Sequence, residues 1–292
     1  MINSKFRPAA RTRRALASGA RQSRPPRTLS WRAVYAWRVG IVAVLLAAWQ
    51  WLPQTPLHSA FVFLDPFYIS SPDAVARELW GLFTGANSVD PVWPYLAASL
   101  EAAIIGLAAG TAIGALAGLL LSNSRNVDRV LSPFIVAVNA VPRIALIPVI
   151  VIIVGPTRLS SVVTAITVVF FVVFYNAYEG GRKVSPEMLR SARLLGYSSK
   201  AIMLRIRLRY VIAWTFAALP NAISFSLLAV VTAEVLTGAE GIGKLIVTAL
   251  DTISATLTFA VVIILAVVGV ILTAAGTLAR SRLLFWWDED RA

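Results

Sequence analysis

Three ionisable residues interrupt long apolar runs: Glu101, Arg143 and Glu234. A charge at bilayer depth is costly, so such residues face a cavity or a partner group and mark ion, proton or substrate paths. Two carboxyls and one guanidinium could relay protons or hold a charged solute. The competing reading places Glu101 and Glu234 in water at the outer interface, with Arg143 snorkelling to the inner surface. Other chemistries are closed. The chain has no Cys and a single His, His58, close to Pro53 and Pro56 in a loop. Without Cys there is no disulfide, no thiolate catalysis and no Cys metal site, and one His cannot build a metal centre.

These charges stand out against their surroundings. The 292-residue chain is 58% hydrophobic and 14% charged, where a soluble domain carries about 25% charged residues. Several apolar runs reach the roughly 20 residues that span a bilayer as a helix, and the alternating strands of a transmembrane barrel are absent. The expected fold is all-α and integral to the membrane. Its six transmembrane helices cover residues 34–52, 95–121, 133–154 (broken by Pro142 and Pro148), 160–178, 210–236 (with Pro220 inside) and 257–278. The organisation is then a basic tail over 1–32, a first transmembrane helix over 33–52, an outer connection over 53–94, a core of five helices over 95–280 and a short tail over 281–292.

Lys and Arg set the orientation. With the N-terminus inside, the inner segments hold 23 of them: 10 up to Arg38, then Arg125 and Arg129, 8 from Arg182 to Arg209, and Arg280, Arg282 and Arg291. The outer segments hold 3, namely Arg77, Arg158 and Lys244. Both termini are therefore expected in the cytoplasm of a multi-pass cell-membrane protein. A net charge of +13 would suggest nucleic acid on a soluble protein. Here it is concentrated in the tail and inner loops, where anionic lipid is the counterpart. The tail, MINSKFRPAARTRRALASGARQSRPPRTLSWR, is too poor in apolar residues to fold. Its Arg13–Arg14 pair has the form of an export signal. No A-x-A cleavage site follows the first apolar run, however, and Trp31, Trp37, Trp49 and Trp51 flank that run as interfacial anchors do. An uncleaved first helix is expected.

Within the outer connection, SPDAVARELWGLFTG reads as a short amphipathic helix lying at the outer interface. Ser71 or Asp73 can cap it, and Val75, Leu79 and Leu82 share one face. Further on, Gly106, Gly110, Gly114 and Gly118 recur every fourth residue. Small residues at that spacing let helix backbones approach closely, within the subunit or between subunits; the lesser alternative is a lining for a substrate path. In NAVPRIALIP, Pro142 and Pro148 remove backbone donors, and broken helices at membrane depth line cavities or pack in protein.

The inner segment GGRKVSPEMLRSARLLGYSSKAIMLRIRL, within a loop over 180–209, is more than a charged loop. Ser185 suits an N-cap, Pro186 the first helical position and Glu187 the positive helix end. Met188, Leu189, Ala192 and Leu195 form one apolar face. Gly196 suits a left-handed helix stop. Ser198 or Ser199 can then cap a second short helix that runs to about Leu208. Orientation needs only Lys and Arg; caps, a Gly corner and the apolar Ile202, Met203, Leu204 and Ile206 suggest a docking surface.

This segment resembles the cytoplasmic loop of bacterial ABC-importer permease subunits, E-A-A-x3-G-x9-I-x-L-P. Ala192, Gly196, Ile206 and Leu208 fall in register; Arg190 and Ser191 replace the first two residues, and Arg209 the last. Three further stretches are similar to the nitrate/sulfonate/taurine permease subfamily: VPRIALIPVIVIIVG, NAYEGGRKVSPEMLRSARLLG (headed by Asn176) and AEVLTGAEGIGKLI. The resemblance covers about Leu100 to the C-terminus. It implies a type I ABC-importer permease fold and a homodimer enclosing the pathway. Two cytoplasmic ATP-binding subunits would each dock on one corner, through Ala192, Gly196, Tyr197, Ser198, Ile202, Ile206 and Leu208. An extracytoplasmic binding protein would deliver solute. The chain would be no enzyme and bind no cofactor; ATP and Mg would be used by the partner, in keeping with the missing G-x-x-x-x-G-K-[ST] loop. Arg143, Pro142, Pro148, Asn176, Glu101 and Glu234 are the candidate pathway residues.

Several positions depart from the pattern. Arg209 and Ala213 stand where Pro is common, Ala218 where Gly is common, and Pro220 and Glu101 where Arg is often found. A sulfonate-, nitrate- or taurine-like solute is the first expectation, with Arg143 the buried cation left to favour an anion. Two other classes stand beside the importer: an ion-gradient-driven transporter coupled through Glu101 and Glu234, and a membrane scaffold recruiting cytoplasmic partners.

Overall fold

The computed structural model describes residues 30–55, 65–86, 90–123 and 125–283, and every regular element among them is a helix. His58, most of the basic tail and residues 284–292 lie outside the described residues. In chain order the α-helices are α1 (Trp31–Trp51), α2 (Pro66–Ile69), α3 (Pro72–Thr84), α4 (Val92–Ser122), α5 (Arg125–Asn139), α6 (Ile147–Val154), α7 (Arg158–Arg182), α8 (Pro186–Leu194), α9 (Ser199–Ile202), α10 (Leu208–Thr237), α11 (Ile242–Asp251) and α12 (Ala255–Leu283). Among the described residues, five helical stretches are long and apolar enough to cross a bilayer, and there are up to six if the bent pair Ser132–Val138 and Arg143–Val154 is one span.

The chain divides into two units, Met1–Ala48 and Trp49–Ala292. α1 begins in the first and buries none of its residues, as suits an apolar helix solvated by lipid. The core of the second is α4 packed on α7 and α7 on α10. The glycine row forms the α4–α7 contact. A Cβ on Gly110 would lie 2.8 Å from the Cβ of Val169, one on Gly114 2.8 Å from the carbonyl of Phe170, and one on Gly118 2.6 Å from the Cβ of Ala177. Of the two places offered for this row, the structure shows the one inside the subunit.

At the end of the bundle where α4 begins and α10 finishes, Val75, Leu82, Val92, Ile242, Leu245, Leu257 and Val261 form a separate apolar cluster. The face of α3 is therefore the one expected, and its Val75 and Leu82 are buried in a cluster with residues of α11, α12 and the start of α4. Ser71 is the N-cap residue, yet its hydroxyl bonds the Asp73 carboxylate at 2.6 Å and makes no backbone cap. Asp73 also accepts from Gln50 at 3.0 Å and pairs with Arg77 at 2.8 Å. The Ser71 hydroxyl first and Gln50 second hold its carboxyl down at about 2. The contact is thus intact above the ordinary carboxylate range and lost only as pH falls through about 2.

Two expectations are corrected. The third apolar run breaks at Pro142 alone, with an 80° bend between its two parts. Pro148 breaks nothing, because it sits in the first turn of α6, where its missing N–H has no partner to lose. The second corner helix also does not stop near Leu208. It passes through one π-helical turn, Met203–Arg207, and continues as α10, giving 39 residues of helix from Ser199 to Thr237. Pro220 lies inside α10 without ending it. Two α-helices were unforeseen: the four-residue α2, and α11, whose Ile242, Leu245 and Ala249 are buried.

Gly114→Leu would drive a side chain into the α7 backbone. Overpacking costs about 1–3 kcal/mol or more, so the unfolding transition of the detergent-solubilised chain should fall. Gly40→Leu, where nothing lies within 4 Å of an added Cβ, should not lower it. Thermal unfolding followed by size-exclusion chromatography separates the two; equal behaviour would remove the row's structural role.

Candidate functional site

The corner is built from local rules. The Ser185 hydroxyl accepts from the Met188 N–H at 3.2 Å and caps α8, with Pro186 at its first position. At the other end the Gly196 N–H donates to the Arg193 carbonyl and the Tyr197 N–H to the Ala192 carbonyl, both at 3.0 Å. These are the two bonds of a Schellman stop, and they require the left-handed φ of +81° that Gly196 adopts. The Ser198 hydroxyl, and not that of Ser199, caps α9 by accepting from the Ala201 N–H at 3.2 Å. The guanidinium of Arg205 lies 5.8 Å from the centre of the Tyr197 ring, a cation–π contact across the corner.

The seven candidate docking residues divide. Ala192 and Ile202 are buried, at 6% and 4% exposure. Ile206 and Leu208 are half-buried, and Leu208 packs with Met203 against Leu119, Ala177 and Val211. Gly196, Tyr197 and Ser198 are exposed. The expected apolar face of α8 is split as well: Ala192 turns inward, while Met188 and Leu195 are exposed together with Leu194 and Leu204.

The membrane charges are not equivalent. Glu101 is exposed and accepts from Arg158 at 2.5 Å. Glu234 is 1% exposed, which overturns the hydrated reading for it. Both of its carboxyl oxygens lie 2.8 Å from the Ser99 hydroxyl, and the Gly243 N–H donates to one of them at 2.9 Å. The Ser99 oxygen in turn accepts from the Ile242 N–H at 2.8 Å. The first N–H groups of α11 thus end on a serine of α4 and a carboxyl of α10, at the positive end of the helix dipole. A Cβ on Gly241 or Gly243 would collide with the Glu234 side chain, so this approach needs both glycines.

Arg143 starts a single 3-10 turn, Arg143–Leu146, just past the break. Its guanidinium lies 5.9 Å from the centre of the Phe171 ring, and Phe171 is near the midpoint of α7. Pro142 and Pro148 flank this turn and are exposed. The Asn176 side chain donates to the Val172 carbonyl of its own helix at 2.8 Å. Arg143, Glu101 and Glu234 therefore do not form one cluster. Sequence reasoning missed Ser99, whose only signal was its place before Glu101. It also missed Arg207, whose charge looks like one more topogenic Arg. Arg207 donates through one nitrogen to the carbonyls of Ser122 and, at 3.1 Å, Gly181.

Ser99→Ala removes a donor to Glu234 and the acceptor of Ile242 together. Leaving buried partners unsatisfied costs about 1–3 kcal/mol each. Thermal stability in detergent should therefore fall clearly with Ser99→Ala and further with Glu234→Ala, while Glu101→Ala, at an exposed ion pair, should shift it little. Unchanged melting for Ser99→Ala would show that the tie is not formed.

Known proteins show what such a fold belongs to. Residues 110–284 match the family described as "Binding-protein-dependent transport system inner membrane component". A probable ABC transporter permease protein of Haemophilus influenzae is 29% identical over 77% of this chain and 87% of its own length. The putative aliphatic sulfonates transport permease protein SsuC of Bacillus subtilis is 27% identical over 87% of this chain and 90% of its own. The taurine transport system permease protein TauC of Escherichia coli is 25% identical, over 90% and 95%. The ion-gradient and scaffold readings give way. The chain is a multi-pass membrane permease subunit and not an enzyme, and it belongs to the binding-protein-dependent transport system inner-membrane component family.

Proposed function

We propose that this chain forms half of the translocation pathway of an ATP-driven importer, as a homodimer with two ATPase subunits on its inner side and a binding protein on its outer side. In this arrangement six spans cross the membrane, α5 and α6 together making the third. Both termini, the tail over 1–32 and the corner within 180–209 are cytoplasmic, and the core occupies 95–280. The excess of Lys and Arg on that side supports the orientation.

The observation that carries the proposal is the corner. Leu194 and Leu195 are 89% and 76% exposed on an ordered element flanked by Arg190, Arg193 and Lys200. Lipid tails do not solvate so charged a segment, and apolar exposure on a capped element calls for a protein partner. The ATPase subunit is that partner, meeting Gly196, Tyr197 and Ser198, with Ala192, Ile202, Ile206 and Leu208 holding the corner in shape from within.

For the solute we propose a small sulfonate- or nitrate-like anion. The relatives named for sulfonates, taurine and nitrate support this class, and Arg143 beside Phe171 supplies a cation midway along α7. Arg143, Pro142, Pro148 and Asn176 line the path in this reading, with the Glu101–Arg158 pair at one end of it. Glu234 serves the path by holding α11 to α4.

A Cβ at position 196 meets open space, and the cost of a side chain there is the left-handed backbone, about 1–2 kcal/mol. Gly196→Asp should consequently fold and insert as the wild type does, yet lose co-purification of the ATPase subunit and uptake together. Full association and uptake in this variant, or no ATPase retained by the wild-type chain, would exclude the proposal.

A further inference from the structure

The last carbonyls of an α-helix have no partner inside it. Ser122 ends α4, and Gly181 lies in the last turn of α7. Their carbonyls converge on Arg207 from the π turn, through Nη1 in both cases. The two helix ends are already in contact, because a Cβ on Gly181 would collide with the Ser122 side chain. A guanidinium carries five N–H donors in a rigid fork, and a cation is favoured at a helix C-terminus. One half-buried side chain therefore closes two helices at once.

The π turn is what aims it. Successive residues of an α-helix turn by about 100°, and the extra residue of a π turn shifts the register of α10 relative to α9. Met203 and Leu208 pack on Leu119, Ala177 and Val211, at the same ends of α4 and α7. Apolar and polar contacts thus converge where the corner becomes α10.

We infer that Arg207 is a positioning residue of the transport cycle: it fastens the base of α10 to the carbonyl ends of α4 and α7, so that displacement of the corner is handed to three helices at once. The inference rests on the proposed docking of an ATPase at the corner. It assigns to Arg207 a role that orientation by charge does not require, since any Lys or Arg nearby would serve orientation.

The chain has no native Cys, so Lys200→Cys on α9 and Leu120→Cys on α4, both exposed at the surface, give a unique pair of spin labels. Labelled chain is diluted with unlabelled chain in nanodiscs, which confines the measured distance to one copy. It is recorded without nucleotide, and again with the co-expressed ATPase subunits trapped by ATP and vanadate. With Arg207 the distribution should be narrow and unmoved by trapping. Arg207→Gln should broaden it and let trapping shift it. Arg207→Lys, which keeps the charge and loses the fork, should fall between the two. A residue needed only for folding would change the yield of complex but not the nucleotide dependence of the distance. If Arg207→Gln retains the ATPase and behaves as wild type in both conditions, the inference is overturned. Failure of the docking reading shows differently, as a wild-type chain that retains no ATPase.

Discussion

A helix that ends against protein or lipid instead of water leaves four N–H or four C=O groups for something else to satisfy. That constraint organises this molecule. The start of α11 is satisfied by Ser99 and Glu234, which come from α4 and α10. The ends of α4 and α7 are satisfied by Arg207. The corner closes its own ends with Ser185, the Gly196 stop and Ser198. Each solution inside the bundle fixes one element against another, so satisfying the backbone and placing the helices are the same event.

Close packing makes these solutions reachable. In lipid, helices gain nothing by hiding apolar surface from water, and association depends on contact and hydrogen bonds. The row from Gly106 to Gly118 brings α4 against α7 backbone to side-chain root, near enough for a single guanidinium to serve both terminal carbonyls. On α10 the same need is met by small residues: Ala218 is 3% exposed and Ala222 is 0% exposed, and the Ser226 hydroxyl donates to the Ala103 carbonyl at 2.8 Å. Ala218 in place of a common Gly therefore still keeps the contact small.

What could be read in the sequence is what is local. The spans are apolar runs, and the corner is written in Ser185, Pro186, Gly196 and Ser198 within 14 residues. The glycine row shows its spacing, though not which helix receives it. The apolar face of α3 was legible, but nothing near Val75 says that α11 and α12 supply the rest of its cluster. Ser99 and Glu234 meet across 135 positions, and no residue near either one announces the other. Arg207 was hidden differently. Its charge was visible, but its direction depends on a π turn, a register shift that residue types alone do not encode. α11 was missed because a ten-residue helix between two spans has neither the length of a crossing nor the charge of a loop.

The two long-range polar contacts bear on motion. Ser99 lies near the start of α4 and Glu234 near the end of α10; Ser122 closes α4 and Arg207 opens the way into α10. The antiparallel pair is therefore pinned at both ends, with the Ser226–Ala103 bond between them. Sliding one helix along the other would strand buried polar groups at both ends, at about 1–3 kcal/mol for each. The helix from Ser199 to Thr237 runs unbroken past Arg209, where a proline would have removed a donor and invited a kink. At its base the irregularity is the π turn, whose last residue is itself pinned; farther along, Pro220 removes one more backbone donor without ending the helix. Shear of α10 against α4 is what these contacts oppose. The sharpest bend lies elsewhere, between Ser132–Val138 and Arg143–Val154, which meet at 80° just where Arg143 faces Phe171. The two pairs therefore differ in construction: α4 and α10 are tied at both ends by buried polar contacts, whereas the bent pair changes direction within its length.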